Sequence, residues 1–221
     1  MKAGRACSCA FESVAMTPLE KRIYLASRSP RRQELLQQIG VSFEVLMLRA
    51  FPASRADLSE APLQSDRAPE YALRLARRKA EIGWQRMLQR RLPPLPVLGA
   101  DTTVALDDEI FGKPVDSAAA AAILRRLSGR AHEVHTAVAV AFEGVVVLRS
   151  SVSRVSFSQL DDAAIRRYVA CGEAMDKAGA YAIQGRAAAF VTSLQGSYTG
   201  VVGLPLFETA ELLRQLGMLV P

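Results

Sequence analysis

Short β-branched apolar runs alternate along this chain with segments whose apolar residues recur at helical spacing. Strand-like runs at 22–26, 43–48 and 97–106 are separated by helix-like segments at 30–39 and 68–90. A strand–helix–strand alternation is typical of parallel strands joined by helical crossovers, which predicts an α/β fold.

The second half of the chain adds a different pattern. Two long β-branched runs, 133–142 and 145–157, flank Glu143-Gly144 and predict an antiparallel hairpin. Further helices are expected at 117–127, 161–171 and 205–216. Crossovers and a hairpin in one chain predict a mixed, twisted sheet flanked by helices.

The composition is that of an ordinary globular domain. Half of the 221 residues are hydrophobic and 23% are charged, and this length fits one domain. Lysine and arginine exceed aspartate and glutamate by 28 to 22, a net charge of +6. This modest excess suits an anionic partner such as a nucleotide, nucleic acid or membrane surface, without choosing among them. No apolar run is long enough to span a bilayer, and no membrane partner is expected.

The N-terminal residues do not resemble a secretory signal. The first 15 residues lack an apolar core, and Met16 resembles a second start. We expect residues 1–20 to be a disordered extension preceding a single domain at 21–221, and the irregular stretch 49–67 to be a mobile loop. The three cysteines, an odd number, predict a reducing compartment, and hence a cytoplasmic protein.

The first strand–helix junction carries an unusual charge pattern. Residues 25–36 read LASRSPRRQELL, so Arg31 and Arg32 fall in the first turn of a helix, where cations are unfavourable. Ser29 suits the N-cap of this helix and Pro30 its first helical position. Free backbone N–H groups there, with Ser27 and Ser29, would make an anion-binding site. A solvated basic helix start, or an acidic neighbour that neutralises the arginines, are the alternatives.

A second candidate is Asp101, a carboxylate inside the apolar strand 97–106. Such a group is costly unless paired or at a strand end, where ligands of open α/β sheets bind. It is a candidate metal ligand or general base; capping of nearby backbone is the alternative. Lys113, between Gly112 and Pro114, and Lys79, on an arginine-rich helix face, are candidate phosphate ligands or plain surface lysines.

The stretch 172–186 sets Asp176, Lys177 and Gln184 among small residues, which allow close backbone approach to a ligand. An amide such as Gln184 can bond a base edge through both of its atoms, although a plain turn is also compatible. A zinc site formed by two cysteines and two histidines has the wrong spacing. The four residues concerned are Cys7, Cys9, His132 and His135.

Taken together, these motifs and their order resemble the Maf family of nucleoside triphosphate pyrophosphatases over roughly residues 22–217. The resemblance lies in Ser27–Leu36, Leu75–Ala80, Gly99–Thr102, Gly112–Pro114, Leu127–Gly129 with His132, Asp176–Tyr181, Ile183–Gly185, Gly196–Tyr198 and Val202–Pro205. It implies a Maf/ITPase-like fold with a central nucleotide-binding cleft, in a protein that is often a homodimer.

The resemblance also implies an activity: hydrolysis of a nucleoside triphosphate between the α and β phosphates, with a divalent cation, Mg²⁺ or Mn²⁺. By position, Asp101 corresponds to the catalytic base and a metal ligand. The phosphate ligands implied are Ser27, Arg32, Lys79 and Lys113.

Three further positions of the family govern base specificity, and here they are Arg31, Thr102 and Gln184. This set resembles the branch that acts on dTTP and UTP, which predicts a nucleotide diphosphatase for these substrates or for modified pyrimidine nucleotides. The alternative is a septum-formation or cell-division regulator with little catalysis. Nucleic acid is not expected as a partner, because the basic residues concentrate at the motif positions.

One stretch departs from the family pattern. After the second strand the family usually has an acidic stretch that helps to bind metal, whereas residues 48–55 here contain no acid. The nearest substitutes are Asp57 and Glu60.

Overall fold

The computed structural model of the protein describes residues 22–48 and 66–221. The predicted extension at 1–20, most of the predicted loop at 49–67, and Asp57 and Glu60 lie outside the described residues. Asp66 and Arg67, the last two residues of that loop, come directly before a helix.

The elements of the described residues follow the predicted alternation closely. The strands are β1 (Arg22–Leu25), β2 (Ser42–Val45), β3 (Val97–Leu106), β4 (Glu109–Phe111), β5 (Ala131–Phe142), β6 (Val145–Phe157) and β7 (Val191–Gln195). The α-helices are α1 (Pro30–Gln38), α2 (Ala68–Gln89), α3 (Ser117–Leu127), α4 (Asp162–Ala170), α5 (Tyr198–Val202) and α6 (Leu206–Gln215). Among these described helices, none has the length and apolar character needed to cross a membrane.

The strands of the described residues form one mixed sheet in the order β2-β1-β3-β5-β6-β7, with β4 paired to β3. β1 is parallel to β2 and β3, and the remaining pairs are antiparallel. The predicted mixed α/β sheet and its hairpin at Glu143-Gly144 are confirmed. β4 was not predicted, because three residues are too few for alternation to be visible.

The two faces of the sheet pack against different helices. On one face, Leu98, Ala100 and Val104 of β3 join an apolar cluster with side chains of α1, α3, α4 and α6. On the other face, α2 packs on β5 through alanines of both elements, Ala72, Ala76, Ala80, Ala137, Ala139 and Ala141. Small side chains on both partners let this helix lie unusually close to the sheet.

The backbone of α2 comes very near to the sheet at Gly99 of β3. A Cβ atom at Gly99 would lie 2.6 Å from the backbone nitrogen of Ala80 and 2.7 Å from the carbonyl oxygen of Ala76. These distances leave room only for hydrogen, so Gly99 determines how near the middle of α2 can come to β3. Lys79 lies on this part of the helix.

Strand β3 has an open stretch along one edge. Its pairing with β1 ends at Leu98, and its pairing with β4 begins at Val104. Between these points, among the described residues, 99–103 pair only with β5. The gap leaves this edge of the strand unpaired just beyond the carboxyl end of β1, the position at which ligands of α/β sheets bind.

A methyl group at Gly99 tests this packing. Gly99→Ala is expected to lower the free energy of unfolding by about 1–3 kcal/mol, because the backbone of α2 must shift away from β3. Gly112→Ala is the control, since a Cβ there meets nothing within 4 Å. Urea unfolding of both variants measures the difference, and equal stability of the two would contradict the packing argument.

Candidate active site

Asp101 and Thr102 are neighbours in β3, so their side chains point to opposite faces of the sheet. Asp101 lies on the face covered by α2, where it pairs with Lys79. Thr102 lies on the face of α1 and α5, where it contacts Arg32 and Thr136. The candidate site therefore has two sides, joined at the open edge of β3.

On the Thr102 side, the Arg32 guanidinium ties three separate parts of the chain together. Its Nε donates to the carbonyl of Gly203 at 2.8 Å, Nη1 to Ser27 Oγ at 3.2 Å, and Nη2 to Thr102 Oγ1 at 3.4 Å. A planar guanidinium held in this way has a fixed orientation, which favours recognition of a phosphate.

The backbone around Arg32 supports this geometry. Pro30 occupies the first helical position, as predicted, and Ser29 is the N-cap by position, although its side chain makes no capping bond. Instead, the backbone N–H of Ser29 donates to Ser27 Oγ at 3.2 Å. Gly203, at φ 136°, has the backbone conformation that glycine adopts readily while its carbonyl accepts from Arg32.

On the other side, Lys79 and Asp101 form a close ion pair. Lys79 Nζ lies 2.7 Å from Asp101 Oδ1, and the two side chains are only 12% and 11% exposed. Thr103, two residues along the same face, donates to Asp101 Oδ2 at 3.3 Å. Both carboxylate oxygens thus have a partner, which accounts for a charged group inside an apolar strand.

The segment 177–185 approaches the Thr102 side from the far half of the chain. A Cβ at Gly179 would lie 2.8 Å from Val104, and the N–H of Gly179 donates to the carbonyl of Gly112 at 3.3 Å, beside Lys113. Burial and the nearby charge of Arg31 lower the pKa of Lys177. Because two neighbouring cations repel each other, an anionic ligand that binds between them is stabilised by both.

The predicted residues therefore fall into three groups. Ser27, Arg32 and Thr102 share one hydrogen-bond network, and Lys79 pairs with Asp101. Arg31, Lys113 and Gln184 lie at or beside the segment 177–185, with Lys113 and Gln184 exposed. Their assignment to catalysis, phosphate binding and base selection stays a prediction.

Comparison with known proteins identifies the family. The family model described as Maf-like protein matches residues 22–216 of the chain. The chain belongs to the Maf-like family. The resemblance inferred from the motifs is confirmed.

Curated relatives match almost the whole length of this Maf-like protein. A protein of Aromatoleum aromaticum is 56% identical over 91% of this chain and 98% of its own length. A protein of Nitrosomonas europaea is 50% identical over 93% of this chain and 99% of its own length. A protein of Nitrosospira multiformis is 56% identical over 90% of this chain and 97% of its own length. Each of the three is named dTTP/UTP pyrophosphatase.

Among solved structures, the Staphylococcus aureus Ham1 protein aligns with 62% of this chain and 72% of its own, with a TM-score of 0.42 and 14% identity. That alignment is too partial to support an argument about this Maf-like protein.

Three residues of the Maf-like site were not singled out from the sequence. Thr103 supports Asp101, and its position two residues along the strand is a period-2 signal that could have revealed it. Thr136, 3.1 Å from Thr102, and the Gly203 carbonyl depend on strand register and on a distant loop. No local pattern in the sequence indicates either contact.

Beneath the segment 177–185 lies a buried histidine of β5. His132 is 1% exposed, and its Nε2 lies 2.9 Å from the hydroxyl of Tyr181. Burial lowers the pKa of His132 from 6.5 to about 4, so the ring is neutral near pH 7. His132 and His135 both lie in β5, the first strand of the hairpin, and no group of three or more metal-ligating side chains occurs in the described residues, which do not include Cys7 and Cys9.

The depressed pKa of His132 makes stability depend on pH. Between pH 6.5 and 4 the unfolded chain binds a proton that the folded protein excludes, so the free energy of unfolding falls as pH decreases, by about 3 kcal/mol in total. His132→Phe is expected to remove this component, which chemical unfolding at a series of pH values measures. Tyr181→Phe, which keeps the histidine, should retain it; an unchanged profile in His132→Phe would contradict the assignment.

Proposed function

We propose that this Maf-like protein hydrolyses dTTP and UTP to the nucleoside monophosphate and pyrophosphate. Relatives of that name, 50–56% identical over nine-tenths or more of this chain, support the substrate class. One structural observation supports the chemistry. Among the described residues, the carboxylate of Asp101 lies at the unpaired edge of β3 and forms an ion pair with Lys79, while Arg32 donates a hydrogen bond to the next residue, Thr102.

The proposed reaction is an in-line attack of water on the α-phosphorus. The water oxygen bonds to phosphorus while the bond from phosphorus to the α–β bridging oxygen breaks, and pyrophosphate leaves with that electron pair. Asp101 accepts the proton of the water as general base. Its two partners, Lys79 and Thr103, hold the carboxylate in place without occupying all of its lone pairs.

The cations would stabilise charge on the departing pyrophosphate. Arg32 enters this role already oriented by Ser27, Thr102 and Gly203. Lys79 can bridge Asp101 and a phosphate oxygen, because an ammonium group carries three N–H donors. Lys113, exposed beside the segment 177–185, is the third cation of the proposal.

A divalent cation, Mg²⁺ or Mn²⁺, is part of the proposal, and the oxygen chemistry of Asp101 fits it. Magnesium usually binds through one or two carboxylates together with substrate phosphates, so one aspartate suits a cation that arrives with the triphosphate. Asp101 would hold it, and a bound cation would neutralise phosphate charge.

In this proposal, the base is selected by Arg31, Thr102 and Gln184. The imide edge of uracil or thymine presents acceptor, donor and acceptor, which an amide and a guanidinium can match. Thr102 contributes indirectly as well, since its hydroxyl accepts from Arg32 and lies 3.1 Å from the hydroxyl of Thr136. It thereby links Arg32, the proposed phosphate ligand, to β5, on which Thr136 lies.

The names of the relatives favour this enzymatic interpretation over a cell-division regulator with little catalysis. Action on modified pyrimidine nucleotides would use the same site. A homodimer and a cytoplasmic location are further proposals from the family resemblance, and sedimentation of the purified protein would test the first.

The first test is Asp101→Asn, assayed by pyrophosphate release from dTTP and UTP with Mg²⁺ or Mn²⁺. Turnover is expected to fall by about 10²–10⁴-fold, because the amide cannot accept the proton. Nucleotide binding, measured by calorimetry, should persist. Asp108→Asn, at an exposed turn with φ 63°, is the matched control; near-normal turnover of Asp101→Asn would overturn the assignment.

The second test concerns substrate choice. Arg31→Ala and Gln184→Ala are expected to reduce kcat/KM for dTTP and UTP relative to CTP and GTP by about tenfold or more, because base contacts that a competitor cannot make are lost. Lys113→Ala is the comparison, because loss of a phosphate contact should lower kcat/KM equally for all four substrates. Uniform losses in all three variants would contradict the roles given to Arg31 and Gln184.

A further inference from the structure

The segment that carries Gln184 is attached to the sheet by one polar contact inside an aromatic cluster. Tyr181 and His132 are both buried, and the tyrosine hydroxyl lies 2.9 Å from His132 Nε2. Their rings and that of Phe157 meet edge to face, with centroids 4.9–5.4 Å apart. The surroundings are apolar, so this hydrogen bond has no competition from water.

Packing does not explain a histidine at this place. Its second ring nitrogen, Nδ1, is buried and has no hydrogen-bond partner within residues 22–48 and 66–221. A buried polar atom without a partner opposes folding, whereas a phenylalanine ring would fill the same space beside Phe157 without that cost. The bond from Nε2 to Tyr181 is therefore what the histidine contributes.

The backbone next to Tyr181 needs such an attachment. Ala180, the residue before Tyr181, has a φ of 59°, a left-handed conformation that a residue with a Cβ atom adopts only when its surroundings hold it. Burial raises the pKa of the Tyr181 hydroxyl, which therefore keeps its proton and its hydrogen bond across the range in which the enzyme would work.

Other contacts hold the segment on both sides of Gln184. The N–H of Ala182 donates to the hydroxyl of Tyr168 at 3.0 Å, and the N–H of Arg186 donates to Glu173 at 2.9 Å. Gln184 itself is exposed between these attachments. The backbone that Tyr181 anchors thus determines the point from which the Gln184 side chain extends.

We propose that His132 and Tyr181 are positioning residues for substrate selection. Their hydrogen bond fixes the segment 181–185 on the sheet, so that the amide of Gln184 meets the pyrimidine edge in good geometry. Hydrogen-bond strength falls steeply with misalignment, so a small movement of this segment weakens base recognition more than phosphate chemistry. This inference rests on the proposed function, in which Gln184 contacts the base.

The test uses Tyr181→Phe, His132→Phe and the double variant, in the full chain, with dTTP, UTP, CTP and GTP as substrates. Each single variant is expected to raise KM for dTTP and UTP and to reduce their kcat/KM relative to CTP by roughly tenfold, with kcat changed by less than about threefold. Tyr24→Phe is the matched control, because Tyr24 is equally buried but belongs to the cluster on the opposite face.

The double variant distinguishes loss of this hydrogen bond from a general loss of packing in the aromatic cluster. If the bond is the cause, the double variant loses no more selectivity than either single variant, because both remove the same interaction. Additive losses, or thermal destabilisation without a change in selectivity, would overturn the proposal. If His132→Phe does not fold, the proposal is decided by comparing Tyr181→Phe with Tyr24→Phe. The quantity compared is kcat/KM for dTTP and UTP relative to that for CTP.

Gln184→Ala distinguishes failure of this inference from failure of the proposed function. Loss of selectivity in Gln184→Ala with normal selectivity in Tyr181→Phe overturns the positioning role alone. Absence of hydrolysis of dTTP and UTP by the unmodified protein overturns the proposed function.

Discussion

The close packing of α2 on β3 at Gly99 is the contact on which the pairing of Lys79 with Asp101 depends. Because no side chain fits between the helix backbone and the strand at this point, Lys79 comes within 2.7 Å of Asp101. The alanines that line α2 and β5 extend the same close approach along the sheet. The side chains of this ion pair are about nine-tenths buried. The otherwise apolar interface accommodates them because each ion compensates the charge of the other.

The two sides of the candidate site follow from the pleat of one strand. Adjacent residues of β3 point to opposite faces, which separates the carboxylate from the threonine that contacts Arg32. Between the end of its pairing with β1 and the start of its pairing with β4, this stretch of β3 has an unpaired edge that adjoins both residues. In the proposed function, the proton acceptor Asp101 and the base-selecting residue Thr102 can therefore be altered separately, although they are next to each other in the sequence.

Much of this architecture was predictable from the sequence, because periodicity and turn residues carry local information. The α/β alternation, the hairpin at Glu143-Gly144 and Pro30 at the start of α1 were all predicted and are present. The resemblance selected Asp101 and Arg32, but neither residue indicates its partners. Thr136 and the Gly203 carbonyl reach the site through strand register and a distant loop, which are properties of the complete fold.

The bond between Arg32 and Gly203 has a consequence for the biosynthesis of the protein. These residues are 171 positions apart, and Gly203 lies close to the C-terminal end of the chain. A nascent polypeptide emerges from the ribosome in order, so the helix that bears Arg32 is exposed long before its carbonyl partner exists. The Arg32 side of the candidate site is therefore completed only after Gly203 has been synthesised, and a product terminated before that residue would lack the hydrogen bond that orients Arg32.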